Sequence, residues 1–557
     1  MMEVGAARAT IGAIASTRLS LNEAVFRWCL RRADRNLDQR GLEPALAYCL
    51  LAADSAAYHG FGQLASPDLE RRLLGVAAQL PVPPPPLPPR PGPVRWLHVM
   101  DRTYAIGGHT ALVRRWLSLD PDGGRHHVLF LSHHGEIDPR LVEAARATGG
   151  GVDALDPDAP LLERAMALRQ RAWTHADRVV LHVHPWSVVP VVALGIAGGP
   201  PVMLLNHLSQ KFWVGGSVAD LVLNLRDSAL EWSAAYRGIA RNALLPIPIA
   251  PRVSRETGST ARRKLGLPAG APVLLTIGNG DKYQPLPGLD FFDAAAAILR
   301  AEPAAHLVAV GPREDPRWRA LREMSGGRVS AVGPQTDLDP YHAAADVYLE
   351  SFPLGSPTAL LEVGLLGTPC VRAPRDVPPP FSIDGAAIVG VEQPRDMADY
   401  VRTAVALIAH EGERRAQGRA LASAIREHHT ESRWGKYLRN AVQALPDHHR
   451  VYSLDDAEPL PPHLRDFSVA LATVGQPDDT LTATLQAALE TGLPARVDTT
   501  LARALVGRCV ARDLGLLVRG RLLRALIEFV IGRRLMNGAR RARRRARRLF
   551  SAKGSER

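Results

Sequence analysis

Two series of short apolar runs, each run followed by a segment of helical periodicity, organise the centre of this chain. The first starts with the run at 94–100 and continues at 127–132, 178–184, 201–206 and 221–225. The second starts at Val273 and continues at 306–310, 329–332, 347–349 and 370–371. Runs this short and this apolar read as strands buried on both faces, and alternation with helices predicts doubly wound parallel sheets. Two Rossmann-like α/β domains are therefore expected, at 94–250 and 251–445, joined through the proline-rich 246–251 and the polar 252–263. Ligands of such sheets bind outside the carboxyl ends of the strands, so the motifs there should face a shared cleft.

The flanks read differently. Residues 1–80 show apolar positions at helical spacing, for instance 21–31 and 44–58, and Ser66-Pro67-Asp68 is a helix-start signal. They are expected to form a helical N-terminal extension, with faint similarity to tetratricopeptide helix pairs. PVPPPPLPPRPGP at 81–93 is a stiff polyproline linker that cannot join a packed core. From 446 to 557 the alternation is lost, and this C-terminal extension ends in an Arg-rich tail.

Charge changes the picture only locally. The chain of 557 residues carries +12, but residues 533–557 hold ten Arg and one Lys against one Glu. That tail accounts for +10, leaving about +2 for everything else, which argues against a nucleic-acid-coated surface. The tail adjoins the apolar, Arg-interrupted segment 514–531, so a basic amphipathic helix on an anionic membrane is favoured over a nucleic-acid partner. No uncharged apolar run reaches membrane-spanning length, and the N-terminus lacks a signal-peptide layout. The expected location is cytoplasmic, with the tail on the inner face of the cell membrane. The four cysteines are scattered without metal or disulfide spacing and are expected as buried thiols.

The chemistry is concentrated in Ser351 to Val371, SFPLGSPTALLEVGLLGTPCV. It reads as strand end, tight loop, helix and second strand, with Ser356 as N-cap, Pro357 at the first helical position and Gly367 as a left-handed stop. A helix start of this kind suits a diphosphate. Glu362, a carboxylate in an otherwise apolar helix, would find its partner in the hydroxyls of a ribose. The stretch closely resembles the donor-binding motif of GT-B glycosyltransferases, the group 1 enzymes and the O-linked N-acetylglucosamine transferase type. Segments 331–337 and 346–353, and the strand from Val273 to Gly278 followed by Lys282, extend the resemblance. It implies an N-terminal acceptor domain and a C-terminal nucleotide-sugar donor domain facing a cleft. Many group 1 enzymes carry a second glutamate upstream; here that position is Leu354.

On the donor side the resemblance implies that Ser356 and Thr358 hold the diphosphate, Lys282 neutralises it beside Gly278, and Glu362 holds the ribose. Gly333 and Tyr341 fall where the nucleotide base would sit. On the acceptor side, Gly107-Gly108-His109-Thr110 opens a helix after the first strand, where paired glycines admit a bound group. His109, with His207 as alternative, is the expected base for an acceptor hydroxyl. His182 and His184 share one strand face; no further ligand follows at metal spacing, so His184 is read as cleft lining and His182 as core. Asn206, His207, Lys211 and Trp213 mix polar and aromatic groups as sugar sites do, with Asp220 and Arg226 on the same wall or paired to each other.

The expectation is a glycosyltransferase moving a sugar from a nucleotide-sugar to a hydroxyl on a glycan, lipid-linked or protein acceptor. The setting implied is bacterial cell-surface polysaccharide or glycan assembly. No cofactor is expected; the nucleotide-sugar is a co-substrate and no metal is required. A nucleotide-sugar epimerase of the same fold and a non-catalytic glycan-assembly scaffold stay open as alternatives.

Overall fold

The structure is a computed structural model describing residues 2–83, 92–104, 107–250, 256–454 and 457–475, with four further positions between 480 and 487. Most of the polyproline linker, the 251–255 joint, Cys509 and the Arg-rich tail lie outside the described residues. Seven parallel strands form the first sheet: β1 (Arg95–Met100), β2 (Arg125–Phe130), β3 (Gly151–Ala154), β4 (Arg178–His182), β5 (Val202–Asn206), β6 (Leu221–Asn224) and β7 (Asn242–Leu244). Their order is β3-β2-β1-β4-β5-β6-β7. The second sheet holds β8 (Val273–Ile277), β9 (His306–Val310), β10 (Val329–Ala331), β11 (Val347–Leu349) and β12 (Cys370–Val371), ordered β10-β9-β8-β11-β12. Both sheets reverse direction once, between β1 and β4 and between β8 and β11. Those two switch points fix where a ligand crevice opens, because the loops after the four central strands splay apart there.

The expected α/β architecture is present, and the two strands the sequence pattern missed are both at sheet edges. β3 and β7 are four and three residues long and nowhere fully buried, so neither carries the apolar run that marks a central strand. The flanks are more tightly integrated than expected. Helices α1 (Met2–Asp38), α2 (Leu42–His59) and α3 (Pro67–Ala77) share one core with the first sheet, where Trp28, Tyr48 and Leu73 join Leu97, Leu181 and Val222. A buried carboxylate ties them on: Glu70 accepts from the backbone N–H groups of Gly215 (2.6 Å) and Gly216 (3.2 Å) and from the Ser217 hydroxyl.

Packing also crosses the boundaries expected at 250 and 445. The helix Glu431–Gln443 returns to the first sheet, where Trp434 packs on Trp116 and its indole N–H donates to the Pro246 carbonyl at 2.9 Å. Beyond it, His449 is buried against Asp220 at 2.7 Å, and the helix Pro462–Gly475 packs along α1. Asp220 is thus occupied by His449, Arg450 and Tyr452, while Arg226 donates to the carbonyls of Pro380 and Ser382 across the domains. The two do not pair. Cys29, Cys49 and Cys370 are buried thiols, and among the described residues no helix is long and apolar enough to cross a membrane.

Candidate active site in the interdomain cleft

A cleft of about 780 Å³ lies between the sheets, walled by the loop and helix after β1 on one side and the loops after β8, β10 and β11 on the other. The motif helix, Pro357–Leu365, points its first turn into it, with Ser356, Thr358 and Ala359 on the wall. Ser356 occupies the cap position, but its side chain does not cap; the hydroxyl meets Ser351 Oγ at 3.3 Å instead. The first-turn N–H groups of Thr358 and Ala359 have no partner within the helix, as at any helix start. Gly367, at φ +93°, supplies the expected left-handed stop.

The Gly-Gly loop meets this helix start directly. A Cβ on Gly108 would lie 2.9 Å from Thr358 Oγ1, so a side chain there would push Thr358 aside where α4 (Gly108–Leu119) opens against the motif helix. Gly107 adopts φ +143° beside it. Gly278 is held in the same way, since a Cβ there would lie 2.8 Å from Ser356 Oγ.

Lys282 enters the cleft from a single turn of 3-10 helix after β8, and its ammonium donates to the Gly355 carbonyl at 2.9 Å. Burial pulls it down to about 8, with Asp281 and Glu350 opposing and Arg226 and Lys211 assisting that shift. A cation held this way gains from any anion placed beside it. Glu350, at the end of β11, was not legible from the sequence pattern. It is fully buried, accepts from the backbone N–H groups of Ala373 (2.7 Å) and Ile383 (3.0 Å), and fixes the loop beneath the motif helix. Burial pushes its carboxyl up to about 7. Glu362 lines the cleft but has a protein partner the sequence did not reveal: Arg115 of α4, whose guanidinium pairs with it across the domains. Pro334 and Gln335 reach the cleft; Gly333 and Tyr341 stand behind them and do not line it.

The opposite domain is assembled differently. His109 stacks on His207 with ring centroids 4.5 Å apart and bonds the backbone carbonyl of His182, leaving Nε2 buried without a partner. Burial and the neighbouring imidazoles hold His109 well below its ordinary range and His207 at about 4. Both rings are neutral at pH 7. Behind them runs a chain of imidazoles: Asp120 to His126 at 3.1 Å, His126 to His98 at 2.9 Å, and His98 to His182 at 2.9 Å. The Asp120 carboxylate can only accept, so each ring in turn donates through Nε2 toward it, and His182 ends the chain with a lone pair on Nδ1. His182 is core, as expected.

His184 is 8% exposed and reaches the cleft only through Tyr104, whose hydroxyl meets its Nε2 at 3.1 Å. Asp101, after β1, accepts from the His184 backbone N–H and the Ser187 hydroxyl, and was another residue missed. The expected sugar contacts sit apart from the main cleft. Asn206 belongs to a buried ladder, donating to Asn224 Oδ1 at 2.8 Å while Asn224 donates to Asn242. Trp213 is buried under the Arg237 guanidinium, and Lys211 donates to the Ala57 carbonyl of α2. His184, Asn206, His207 and Trp213 together line only a narrow crevice beside the cleft. Four polar and aromatic residues clustered after an apolar strand looked like a ligand wall; Asn206 and Lys211 are spent on internal bonds and Trp213 is packed in the core. Among the described residues, no group of three or more His, Cys, Asp or Glu side chains is placed to hold a metal ion.

Residues 271–409 match the family of glycosyl transferases, group 1. That match falls on the second sheet domain. With the first sheet facing it across the cleft, the chain has two Rossmann-like domains in a GT-B arrangement. Solved structures similar to it include HepE of Anabaena, solved with UDP and glucose, at 13% identity over 63% of this chain and 100% of that one, TM-score 0.48. The O-GlcNAc transferase of Thermobaculum terrenum is similar at 16% identity over 75% and 83%, TM-score 0.45. The sucrose-phosphate synthase of Thermosynechococcus elongatus is similar at 15% identity over 63% and 98%, TM-score 0.46. No curated protein matches the chain.

Proposed function

We propose that this chain is a glycosyltransferase that moves a sugar from a nucleotide-sugar to a hydroxyl acceptor without a bound metal, in bacterial cell-surface polysaccharide or glycan assembly. The observation that carries the reading is the convergence of Lys282, the uncapped start of the motif helix and the Gly107-Gly108 loop on one cleft. A cation and a helix start aimed at one point are what a departing diphosphate needs. The first-turn N–H groups of Thr358 and Ala359 take phosphate oxygens, Lys282 takes the charge that develops as the sugar–phosphate bond breaks, and Glu362 takes the ribose hydroxyls. The base lies toward Pro334 and Gln335.

From the other domain, the acceptor oxygen attacks the sugar carbon while its proton passes to the Nε2 lone pair of His109. His109 is neutral at pH 7 and is held by His207 and the His182 carbonyl, so it is oriented to accept. Incubation of the purified protein with a panel of nucleotide-sugars tests the reading. Release of a nucleoside diphosphate and protection against heat are expected with one of them, and neither with any donor would refute it. Activity is expected to survive excess EDTA; loss that a divalent ion restores would contradict the metal-free part.

The Arg-rich tail, in this reading, holds the enzyme on anionic membrane near a lipid-linked acceptor. Each Arg at such a surface contributes about 1 kcal/mol, screened over roughly 8–10 Å at physiological salt. Flotation with anionic vesicles should carry the full chain and leave a 1–532 truncation behind. Equal flotation of both would reject the membrane role.

A further inference from the structure

The Arg115–Glu362 pair raises a problem that the donor reading must answer. Both side chains are about one-tenth exposed, 11% and 10%, and they bond to each other across the cleft. A ribose that takes Glu362 therefore has to displace a guanidinium that cannot lose its charge. Left without a partner beside the cleft, that cation would make donor binding costly. Among the described residues, the only other hydrogen bond of Arg115 is a long one, 3.3 Å, to the Pro248 carbonyl.

The surroundings show where it can go. Arg114 and Arg115 on α4 and Arg140 on α5 (Pro139–Ala147) line the same wall. Asp138 occupies Arg140 through a two-pronged pair, and Glu362 occupies Arg115. Arg114 has no ion pair among the described residues, and burial together with Arg140 and Arg115 lowers its proton affinity. With Lys282, the cleft lining holds four cations, Arg114, Arg115, Arg140 and Lys282, against the three carboxylates Asp138, Glu143 and Glu362, a balance that suits an anion. The alignment of α4 with the motif helix, Gly108 on Thr358 and Arg115 on Glu362, places this wall along the line from diphosphate to ribose.

We propose that Arg115 is a second diphosphate-binding residue, supplied by the acceptor domain and held in reserve by Glu362 until a donor arrives. The inference rests on the donor reading above. The ligand brings both missing partners: its ribose hydroxyls donate to Glu362, and its diphosphate accepts from Arg115 beside Arg114. One ion pair is exchanged for two ligand contacts, so the empty cleft is latched and the filled one is bridged through the ligand. A nucleoside, with ribose but no diphosphate, must break the pair and leaves Arg115 unsatisfied. Free pyrophosphate must break it from the other side and leaves Glu362 unsatisfied.

Calorimetric titration of the full chain with UDP, GDP and ADP, with the matching nucleosides and with pyrophosphate tests this. In Arg115→Met, affinity for the diphosphate that binds should fall about ten- to a hundredfold, while affinity for its nucleoside rises. Glu362→Gln should show the mirror image, with pyrophosphate binding tighter than to the native protein and the nucleoside binding more weakly. Thermal unfolding of each empty variant establishes that it is folded; if Arg115→Met is not, the pyrophosphate arm of Glu362→Gln decides alone. Diphosphate and nucleoside affinities changing in the same direction in Arg115→Met, or pyrophosphate binding unchanged in Glu362→Gln, would overturn the exchange. Native protein that binds none of the three diphosphates would instead refute the donor reading itself, and this inference with it.

Discussion

The two walls of the cleft are built on opposite plans. On the donor side one continuous stretch, Ser351 to Val371, makes the loop, the helix start and the carboxylate, and Lys282 arrives from the next strand over. On the acceptor side nothing is contiguous: Asp101 and Tyr104 follow β1, His184 follows β4, His207 follows β5, and the imidazole chain behind them crosses three strands. A local motif survives translation into structure because its geometry is fixed by neighbours in the chain. A wall drawn from many strands depends on which side chains the sheet has already used.

If that contrast is functional, mutations on the two walls should separate turnover from donor affinity. The largest effect is expected for His109→Ala, a fall in turnover of roughly a hundred- to ten-thousandfold with donor affinity nearly unchanged. Single-turnover rates beside equilibrium titration would show it, and near-normal turnover would pass the role to His207 or His184. Lys282→Met is expected to cost about a hundredfold or more in turnover, through lost stabilisation of the leaving diphosphate, and to weaken diphosphate binding as well.

Smaller effects sharpen the comparison. Glu362→Ala should weaken nucleoside binding by about tenfold in a folded protein, within the roughly 1.5–3 kcal/mol of one charge-assisted hydrogen bond. Unchanged nucleoside affinity would remove it from the ribose site. On the other wall, His98→Leu leaves His126 Nδ1 and His182 Nε2 without partners, at about 1–3 kcal/mol for each orphaned group. Its melting temperature should fall while donor affinity stays put. The smallest effect is a pH dependence. Lys282 is lowered to about 8 in the empty protein, so it is charged below pH 8 and neutral above. Diphosphate affinity should be level below pH 8 and decline above it, by up to tenfold per pH unit until the bound-state value is reached, while nucleoside affinity stays flat.

The sequence pattern revealed the two parallel sheets because central strands must be apolar on both faces; it missed β3 and β7 because edge strands need not be. It located Thr358, Lys282 and Glu362 because a helix start, a loop cation and a lone acid in an apolar helix are local signals. Arg115 escaped notice because its partner lies 247 positions away and nothing in the spacing of α4 sets it apart from its neighbour Arg114. Asn206, Trp213 and Lys211 misled for the converse reason. Polar side chains after an apolar strand can as well be closing a buried ladder or holding a docked helix as facing a ligand, and only the fold distinguishes the two. His98 reads only as a strand residue and His126 lies just outside the run expected at 127–132, so nothing in the pattern shows that their rings align across neighbouring strands.

The most direct test of a donor wall and an acceptor wall is a titration of the nucleoside diphosphate into three proteins: native, Lys282→Met and His109→Ala. The account predicts that Lys282→Met loses most of the affinity and that His109→Ala keeps it, although both lose turnover. Equal loss in the two variants, or full affinity in Lys282→Met, would contradict it.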